Sequence, residues 1–315
     1  MKEIGGYIEL DTYHLPMLHE DAIALNCGRN CLAYLFKSRG IRKLKVPYFI
    51  CNSIYHVCER EGVEKSFYHI GPDFLPQNLT VADDEWLYLA NYYGQLSNDD
   101  IKQYVDRFGK VIVDQANGYF EEPLPGVDTF YTCRKWFGVA DGAFLYTSSR
   151  LSNALEQDES YDRMRFLLGR YERTASEFYN EYVSNNKSFM NEPIKRMSKL
   201  TSNLLHGLDY SSIEKQRTEN FSFLHEKLAP FNQLKLKTAS FMYPFMVDDG
   251  ASLRKKLQAE KIYIPILWPT VFDICPPGDL EYTMAENILP LPIDQRYEIR
   301  DMEYLVSRIL FNMSV

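Results

Sequence analysis

Short apolar runs alternate with amphipathic stretches through the first half of the chain. The apolar runs, bounded by charged residues, glycines and prolines, predict buried strands near 43–50, 66–70, 85–92, 111–113, 127–131 and 144–146. Between them, helical periodicity begins at Gly28, resumes after Ile50, and runs from Ser97 to Phe108 behind a capping-box pattern. This alternation predicts an α/β fold whose mostly parallel central sheet has helices on both faces.

The second half is richer in helical patterns. Charged and apolar residues from Asp162 to Tyr182 predict one long amphipathic helix, and 184–193 predicts a loop. A helical region at 195–228 is followed by a strand at 241–247, a helix at 251–260, a strand at 262–269 and a final helix capped by Asp301. Since 315 residues exceed the ~250–300 at which one core stops growing, we expect two domains, 1–190 and a smaller α+β domain at 191–315.

Composition excludes several classes of protein. A net charge of -8 and the absence of a Lys/Arg-rich run argue against nucleic-acid binding. The sequence has neither a signal-peptide pattern nor an apolar run long enough for a membrane span, so we expect a cytoplasmic protein. Its six cysteines lack zinc-site spacing, which predicts reduced thiols and no metal.

Two side chains suggest chemistry at one sheet edge. Asp114 ends the apolar run 111–113, and Lys135 follows the next predicted strand. Ligands bind at the carboxyl ends of strands in open α/β sheets, so a carboxylate and an amine would share one crevice. Pyridoxal phosphate (PLP) needs such a pair: an amine for its aldehyde, and a carboxylate for its pyridinium nitrogen, at about 1.5–3 kcal/mol for a charged hydrogen bond. Taken alone, Asp114 also fits a turn residue and Lys135 a solvated face.

The surrounding sequence resembles the DegT/StrS family of PLP-dependent sugar aminotransferases. Asp114 has an amide, Asn117, three residues on, and Lys135 is followed by Asp141-Gly142-Ala143. The stretch ILPLPIDQRY at 288–297 matches the end of the family's small domain. The resemblance implies a fold-type I PLP-transferase in which Lys135 holds the cofactor and Asp114 pairs with its ring.

Further cofactor contacts follow from the order of these motifs. A helix N-terminus at Gly28 is an anion site by its free N–H groups, and the resemblance places the cofactor phosphate there. The resemblance also implies that Asn117 contacts the phenolic oxygen and that a ring-stacking residue occupies position 51, here a cysteine. Thr132 is our choice for a phosphate hydroxyl, because Phe130 stands where the family carries Ser or Thr. The expected cofactor-binding residues are therefore Gly28, Arg29, Asn30, Cys51, Asp114, Asn117, Thr132 and Lys135.

Substrate contacts are less defined. Tyr7, Tyr93 and Trp268 are candidates, although Tyr93 and Trp268 fit packing as well. Arg296 could bind an acidic group or form a surface ion pair, and Ser198 lies near a family loop that reaches the phosphate of a neighbouring subunit.

The resemblance implies an aminotransferase that moves an amino group, with glutamate as donor, to a keto group, such as that of a nucleotide-linked sugar. Lys135 argues against the family's dehydratases, which carry His there. The alternative is a degenerate PLP-binding protein that acts as a sensor or assembly subunit, which Phe130, Cys51 and the short chain favour. Both interpretations predict a homodimer, with small-molecule donor and acceptor.

Overall fold

A central eight-stranded sheet organises the first half of the protein. The computed structural model describes residues 4–314. The strands are β1 (Ile23–Leu25), β2 (Lys43–Pro47), β3 (Glu64–Ile70), β4 (Pro76–Gln77), β5 (Trp86–Ala90), β6 (Val111–Asp114), β7 (Asp128–Thr132) and β8 (Ala143–Tyr146), in the order β1-β8-β7-β6-β5-β2-β3-β4. β3, β2, β5, β6 and β7 are mutually parallel, whereas β8 runs antiparallel to both β7 and β1. The predicted mostly parallel sheet is confirmed.

Three helices connect the parallel strands, as the periodicity predicts. They are α1 (Gly28–Arg39), α2 (Asn52–Glu61) and α3 (Asn98–Phe108). α1 packs on β7 and β8, and α3 packs on β6. The predicted capping box begins α3: the Ser97 hydroxyl accepts from the Asp100 N–H at 3.2 Å, and the Asp100 carboxylate accepts from the Ser97 N–H at 2.9 Å.

The predicted single helix at 162–182 is wrong. The segment forms α4 (Arg165–Glu172) and α5 (Tyr179–Ser188), which also extends into the predicted loop. At the break, the Thr174 hydroxyl donates to the Glu177 carboxylate at 2.7 Å, a local bond of the kind that competes with helix formation. The Phe178 ring then lies so close to Gly169 that a Cβ there would approach it to 2.3 Å, so α5 folds back on α4.

The last third forms a smaller α+β unit. After α6 (Lys199–Leu205) and α7 (Tyr210–Leu228), β9 (Met242–Met246) and β10 (Ile288–Pro292) pair antiparallel, with α8 (Gly250–Ala259), α9 (Val271–Ile274), α10 (Leu280–Asn287) and α11 (Ile299–Ser314) around them. The strand predicted at 262–269 is wrong, because the segment is irregular. Pro265 and Pro269 lack the N–H groups that a ladder needs.

Residues 4–314 form two large hydrophobic cores and a small cluster of Ala140, Met164 and Phe166. The larger one lies around the eight-stranded sheet, and the smaller one joins α7, α8, α11 and the β9–β10 pair. Leu205 of α6 is buried in the larger core, and Ile213 near the start of α7 packs against it. The domain boundary at residue 190 stays a prediction. Among residues 4–314, no helix is long and apolar enough to cross a membrane.

Candidate active site

Asp114 ends β6 at the carboxyl edge of the parallel strands. Val111, Ile112 and Val113 are buried, and the Asp114 carboxylate emerges where the strand stops. One of its oxygens, Oδ1, accepts from the Ala116 N–H at 2.7 Å. The other, Oδ2, accepts from the Tyr88 hydroxyl of β5. The carboxylate is therefore held by two donors.

Opposing effects set the charge of Asp114. Burial raises the pKa of its carboxyl above the ordinary value, since a low-dielectric environment disfavours the anion. The positive charge of Lys135 lowers the pKa, and the hydrogen bonds from Tyr88 and the Ala116 N–H lower it further. The charge of Lys135 thus acts on the Asp114 carboxyl. That the two side chains share a cofactor site stays a prediction.

The loop that carries Lys135 is fixed from both sides. Lys135 is exposed, and its Nζ lies 5.7 Å from the centre of the Phe241 ring. The neighbouring Trp136 indole donates to the Ala116 carbonyl at 3.1 Å, which ties this loop to the residues after Asp114. The Trp136 carbonyl accepts from Gln295 at 2.9 Å and from the buried Arg217 guanidinium at 3.2 Å. The Lys135 amine thus projects from a loop that is held both by the residues after β6 and by the smaller α+β unit.

The Asp-Gly-small motif after Lys135 has an architectural role. Asp141 is fully buried, and its carboxylate accepts from the Ser198 N–H and the Ser198 hydroxyl, both at 2.7 Å, and from the Thr201 hydroxyl. It anchors the start of α6 to the lysine loop. Gly142 adopts φ +110°, and its N–H donates to the Asn26 carbonyl at 2.7 Å. Because Ser198 is occupied in this buried network, the structure does not present its hydroxyl to a phosphate.

The N-terminus of α1 faces the end of β7. A Cβ built on Gly28 would lie 3.5 Å from the Phe130 ring and 3.9 Å from the Thr132 Cβ. The side chain of the N-cap residue, Cys27, makes no capping bond, and its carbonyl accepts from the Asn30 N–H at 3.0 Å. The N–H groups of Gly28 and Arg29 are thus left without a side-chain cap. Thr132 and these N–H groups therefore lie together at the edge that carries Asp114.

The side chains of the first helical turn point elsewhere. Arg29 donates to the Asn186 carbonyl at 3.3 Å, and the Asn30 amide donates to the Asn26 side chain at 2.9 Å and to the Pro193 carbonyl at 2.8 Å. This corrects the expectation for Asn30, whose buried side chain is committed to joining α1 to the segment before α6. What Gly28 and Arg29 offer an anion is their backbone N–H groups, whereas the Asn30 N–H already donates to the Cys27 carbonyl at 3.0 Å.

Cys51 and Asn117 are the two residues for which ring contacts are predicted. Cys51 is the N-cap of α2, and its Sγ is 2.7 Å from the Ser53 hydroxyl oxygen. It is close enough to Tyr88 to raise the pKa of that phenol, although burial contributes most. Asn117 is buried after β6, and its Oδ1 accepts from the Tyr93 N–H at 3.4 Å. Their contacts with a cofactor stay predictions.

Two of the three substrate candidates are packed in the core. Tyr93 is 1% exposed and Trp268 is 8% exposed, and their rings meet edge-on at 5.4 Å. Because neither ring is free to meet a substrate, the structure corrects those two expectations in favour of packing. Tyr7 is 96% exposed on an extended arm, so its role stays a prediction. Arg296 forms a two-point ion pair with Asp294 at 2.6 and 2.8 Å.

Sequence reasoning missed Tyr88, Arg217 and Gln295. The position of Tyr88 was recoverable, since residues of parallel strands that share a face can be paired once the register is known. Arg217 and Gln295 carry no local signal, because their partners lie 81 and 159 residues away in the chain.

Comparisons with solved structures identify the fold. No protein-family model and no curated protein matches the sequence. A DegT DnrJ EryC1 StrS aminotransferase from Brucella abortus is 17% identical, with a TM-score of 0.61 over 92% of this chain and 85% of that one. The sugar aminotransferase CalS13 from Micromonospora echinospora is 16% identical, with a TM-score of 0.63 over 91% and 86%. The PLP form of Spr1654, a sugar aminotransferase by description from Streptococcus pneumoniae, is 12% identical, with a TM-score of 0.64 over 94% and 88%.

These similarities, together with the strand order, define a fold-type I PLP-transferase fold. The chain thus shares its fold with the sugar aminotransferases compared above.

Proposed function

We propose that the protein is a PLP-dependent aminotransferase. The observation that carries this proposal is the half-buried Asp114 carboxylate at the carboxyl edge of the parallel strands, on which the charge of the exposed Lys135 amine acts. The N-terminus of α1 opens at the same edge. Of the similar structures, Spr1654 has been solved in PLP and PMP forms, which supports this cofactor.

The residues present fit that group. A phosphate suits the α1 N-terminus, where Cys27 makes no side-chain cap and Thr132 adds a hydroxyl. A protonated ring nitrogen suits Asp114, because two hydrogen bonds and the Lys135 charge oppose the effect of burial on the carboxyl pKa. Phe130 cannot donate a hydrogen bond, so Thr132 and the backbone would hold the phosphate.

When bound, PLP supplies an electron sink for charge that develops at the α-carbon of an amino donor. Asp114 would hold a proton on the ring nitrogen, which maintains that electron demand. Lys135 would anchor the cofactor through Nζ. When the donor amine takes its place, the free Nζ would accept the proton that leaves the α-carbon of the donor. The Arg217 and Gln295 bonds to the Trp136 carbonyl orient the loop from which Lys135 works.

We further propose glutamate as the amino donor and a keto sugar, such as a nucleotide-linked form, as the acceptor. Both rest on the resemblance of the motifs and on the description of the similar structures as sugar aminotransferases. A cytoplasmic homodimer is part of the same proposal. Exposed aromatic side chains support a second subunit: Tyr7 is 96%, Tyr171 93% and Tyr161 74% exposed.

The first experiment is the absorbance spectrum of the protein with PLP, before and after borohydride reduction. We expect a visible band in the wild type that reduction converts to covalently attached cofactor, and neither in Lys135→Ala. Lys215→Ala is the matched control, since Lys215 is a surface residue of α7 whose side chain is 76% exposed. Equal labelling of wild type and Lys135→Ala would exclude Lys135 as the anchoring amine, and no band in any protein would exclude PLP.

A half-reaction separates turnover from binding. Glutamate without an acceptor should convert the visible band to the absorbance of the amine form of the cofactor, and release one 2-oxoglutarate per site. Retention of the band with every amino donor tested would favour the degenerate PLP-binding protein.

A further inference from the structure

A tyrosine on the strand beside β6 donates to the Asp114 carboxylate. In the parallel β5–β6 pair, Tyr88 is opposite Ile112, and Ala90 is opposite Asp114. Tyr88 and Asp114 are thus two positions apart on the same face of the sheet. The tyrosine side chain spans this diagonal, and its hydroxyl donates to Asp114 Oδ2.

The environment of Tyr88 makes it a fixed donor. Its side chain is fully buried, and its ring packs 6.3 Å from that of Phe130. Burial, and then the Asp114 charge, raise the pKa of the phenol well above its ordinary value, so the hydroxyl keeps its hydrogen. The backbone carbonyl of Tyr88 accepts from the Tyr68 hydroxyl at 2.9 Å, which fixes the strand. A neutral phenol in this position donates its hydrogen to the ionised carboxylate.

We propose that Tyr88 is a positioning residue for the cofactor ring: it keeps Asp114 ionised and turns the remaining lone pairs of the carboxylate toward the crevice. This inference rests on the proposed function, because it assigns Asp114 to the ring nitrogen. It adds a residue that neither the motif spacing nor the resemblance identifies.

Few groups of residues 4–314 stabilise the Asp114 anion. Burial favours the neutral acid, and the Lys135 charge, the Tyr88 hydroxyl and the Ala116 N–H oppose it. Two further titratable groups interact with Asp114, namely Tyr92, after β5, and Cys31, on α1. Neither is a cation, so neither replaces Tyr88. Without the hydroxyl, Asp114 would accept a proton more readily, and a neutral acid pairs less strongly with a protonated ring nitrogen.

The test compares Tyr88→Phe with Tyr131→Phe. Tyr131 is a buried tyrosine of the same sheet whose hydroxyl donates to the Glu121 carbonyl at 2.9 Å, so its variant also loses one buried hydrogen bond. The first measurement uses protein without cofactor: the carboxyl infrared band of Asp114, assigned by subtraction of Asp114→Asn, is followed against pH. We expect the midpoint of Asp114 to rise by at least about one pH unit, a tenfold change in the protonation equilibrium, in Tyr88→Phe alone.

The second measurement uses PLP-loaded protein. Tyr88→Phe should bind PLP about tenfold more weakly and lower kcat with little change in the donor KM, because the lost interaction acts on the ring and not on the donor. The Tyr131→Phe protein should match the wild type. Incorporation of 3-fluorotyrosine at position 88 retains the side chain and strengthens the donor, so it should lower the Asp114 midpoint even if the phenylalanine variant folds poorly.

The outcomes separate the two proposals. An Asp114 midpoint that is unchanged in Tyr88→Phe and with 3-fluorotyrosine overturns the role of Tyr88, whatever the enzyme binds. A shifted midpoint in a protein that never binds PLP overturns the proposed function and, with it, the cofactor role of Tyr88. A shifted midpoint with unchanged PLP affinity and kcat overturns the positioning role alone.

Discussion

Replacement of Arg217 by alanine should destabilise the protein more than any surface substitution. Arg217 is 1% exposed, and its guanidinium lies 4.6 Å from the centre of the Trp136 ring. It donates to Gln295 Oε1 at 2.8 Å, to the Ser240 carbonyl at 2.9 Å, to the Phe241 carbonyl at 3.3 Å and to the Trp136 carbonyl at 3.2 Å. One side chain thus connects α7, the two residues that precede β9, and the lysine loop.

The magnitude follows from these bonds. Each bond from a charged donor contributes about 1.5–3 kcal/mol in mutational series, and stranded carbonyls cost about 1–3 kcal/mol each. These values are not additive, and removal of Arg217 also removes a buried charge whose pKa burial lowers to about 10. We therefore expect a loss of about 3–5 kcal/mol in the free energy of unfolding, as when one partner of a buried charged pair is deleted.

Urea denaturation followed by circular dichroism and tryptophan fluorescence would measure this loss. Arg217→Lys should lie between the wild type and alanine, because an ammonium keeps the charge but cannot reach four acceptors or stack on the indole. Arg300→Ala is the matched control, since its side chain is 79% exposed and its ion pair with Glu298 is 3.2 Å long; its loss should stay below about 1 kcal/mol. A loss below about 1 kcal/mol for Arg217→Ala as well would refute the assigned role of the buried guanidinium.

Two further predictions concern His19 and Gly142. Burial lowers the pKa of His19 from 6.5 to about 4. The contribution of neutral His19 to the free energy of unfolding should therefore be complete above pH 6.5 and be lost as the pH falls toward 4. This loss should amount to about 3 kcal/mol. His19→Asn should flatten the plot of unfolding free energy against pH between pH 4 and 6.5, whereas His14→Asn, at an exposed position, should leave its slope unchanged. Equal slopes for the wild type and both variants would contradict the role assigned to His19. Gly142→Ala should cost about 2–4 kcal/mol in unfolding free energy, because φ is +110° and the new Cβ would lie 3.0 Å from Thr201 and 3.1 Å from Cys133. Gly126→Ala is the control, because Gly126 has φ +81° but open space around the new Cβ, so this variant has the backbone strain without close contacts. If thermal or urea unfolding shows equal losses of stability in both variants, the contacts of the new Cβ at position 142 cost nothing.

Local periodicity predicted the sheet because its strands are short, apolar and separated by turn residues. It failed between 162 and 182, where the composition is helical and the break depends on Phe178 packing against Gly169. That contact belongs to the fold-back of two helices and has no counterpart in the spacing of apolar residues. The apolar run at 262–269 does not form a strand, because its two prolines lack the N–H groups that a ladder of strand hydrogen bonds needs.

The candidate site divides in the same way. Asp114 and Lys135 could be found because each lies a few residues after a strand, and the ends of parallel strands meet at one edge. The groups that control them come from other elements: Tyr88 reaches Asp114 across a strand pair, while Arg217 reaches the lysine loop from α7. Short-range spacing therefore identifies the reacting groups, and strand register and inter-unit packing determine their charge and orientation.

Trp136, the residue after Lys135, is bonded to both the large sheet and the smaller unit. On one side, Trp136 bonds to the Ala116 carbonyl beside Asp114; on the other, its own carbonyl accepts from Arg217 and Gln295 of the smaller unit. The Arg217 and Gln295 bonds thus do more than add stability, because they tie the residue next to the amine to the smaller unit while Asp114 belongs to the large sheet.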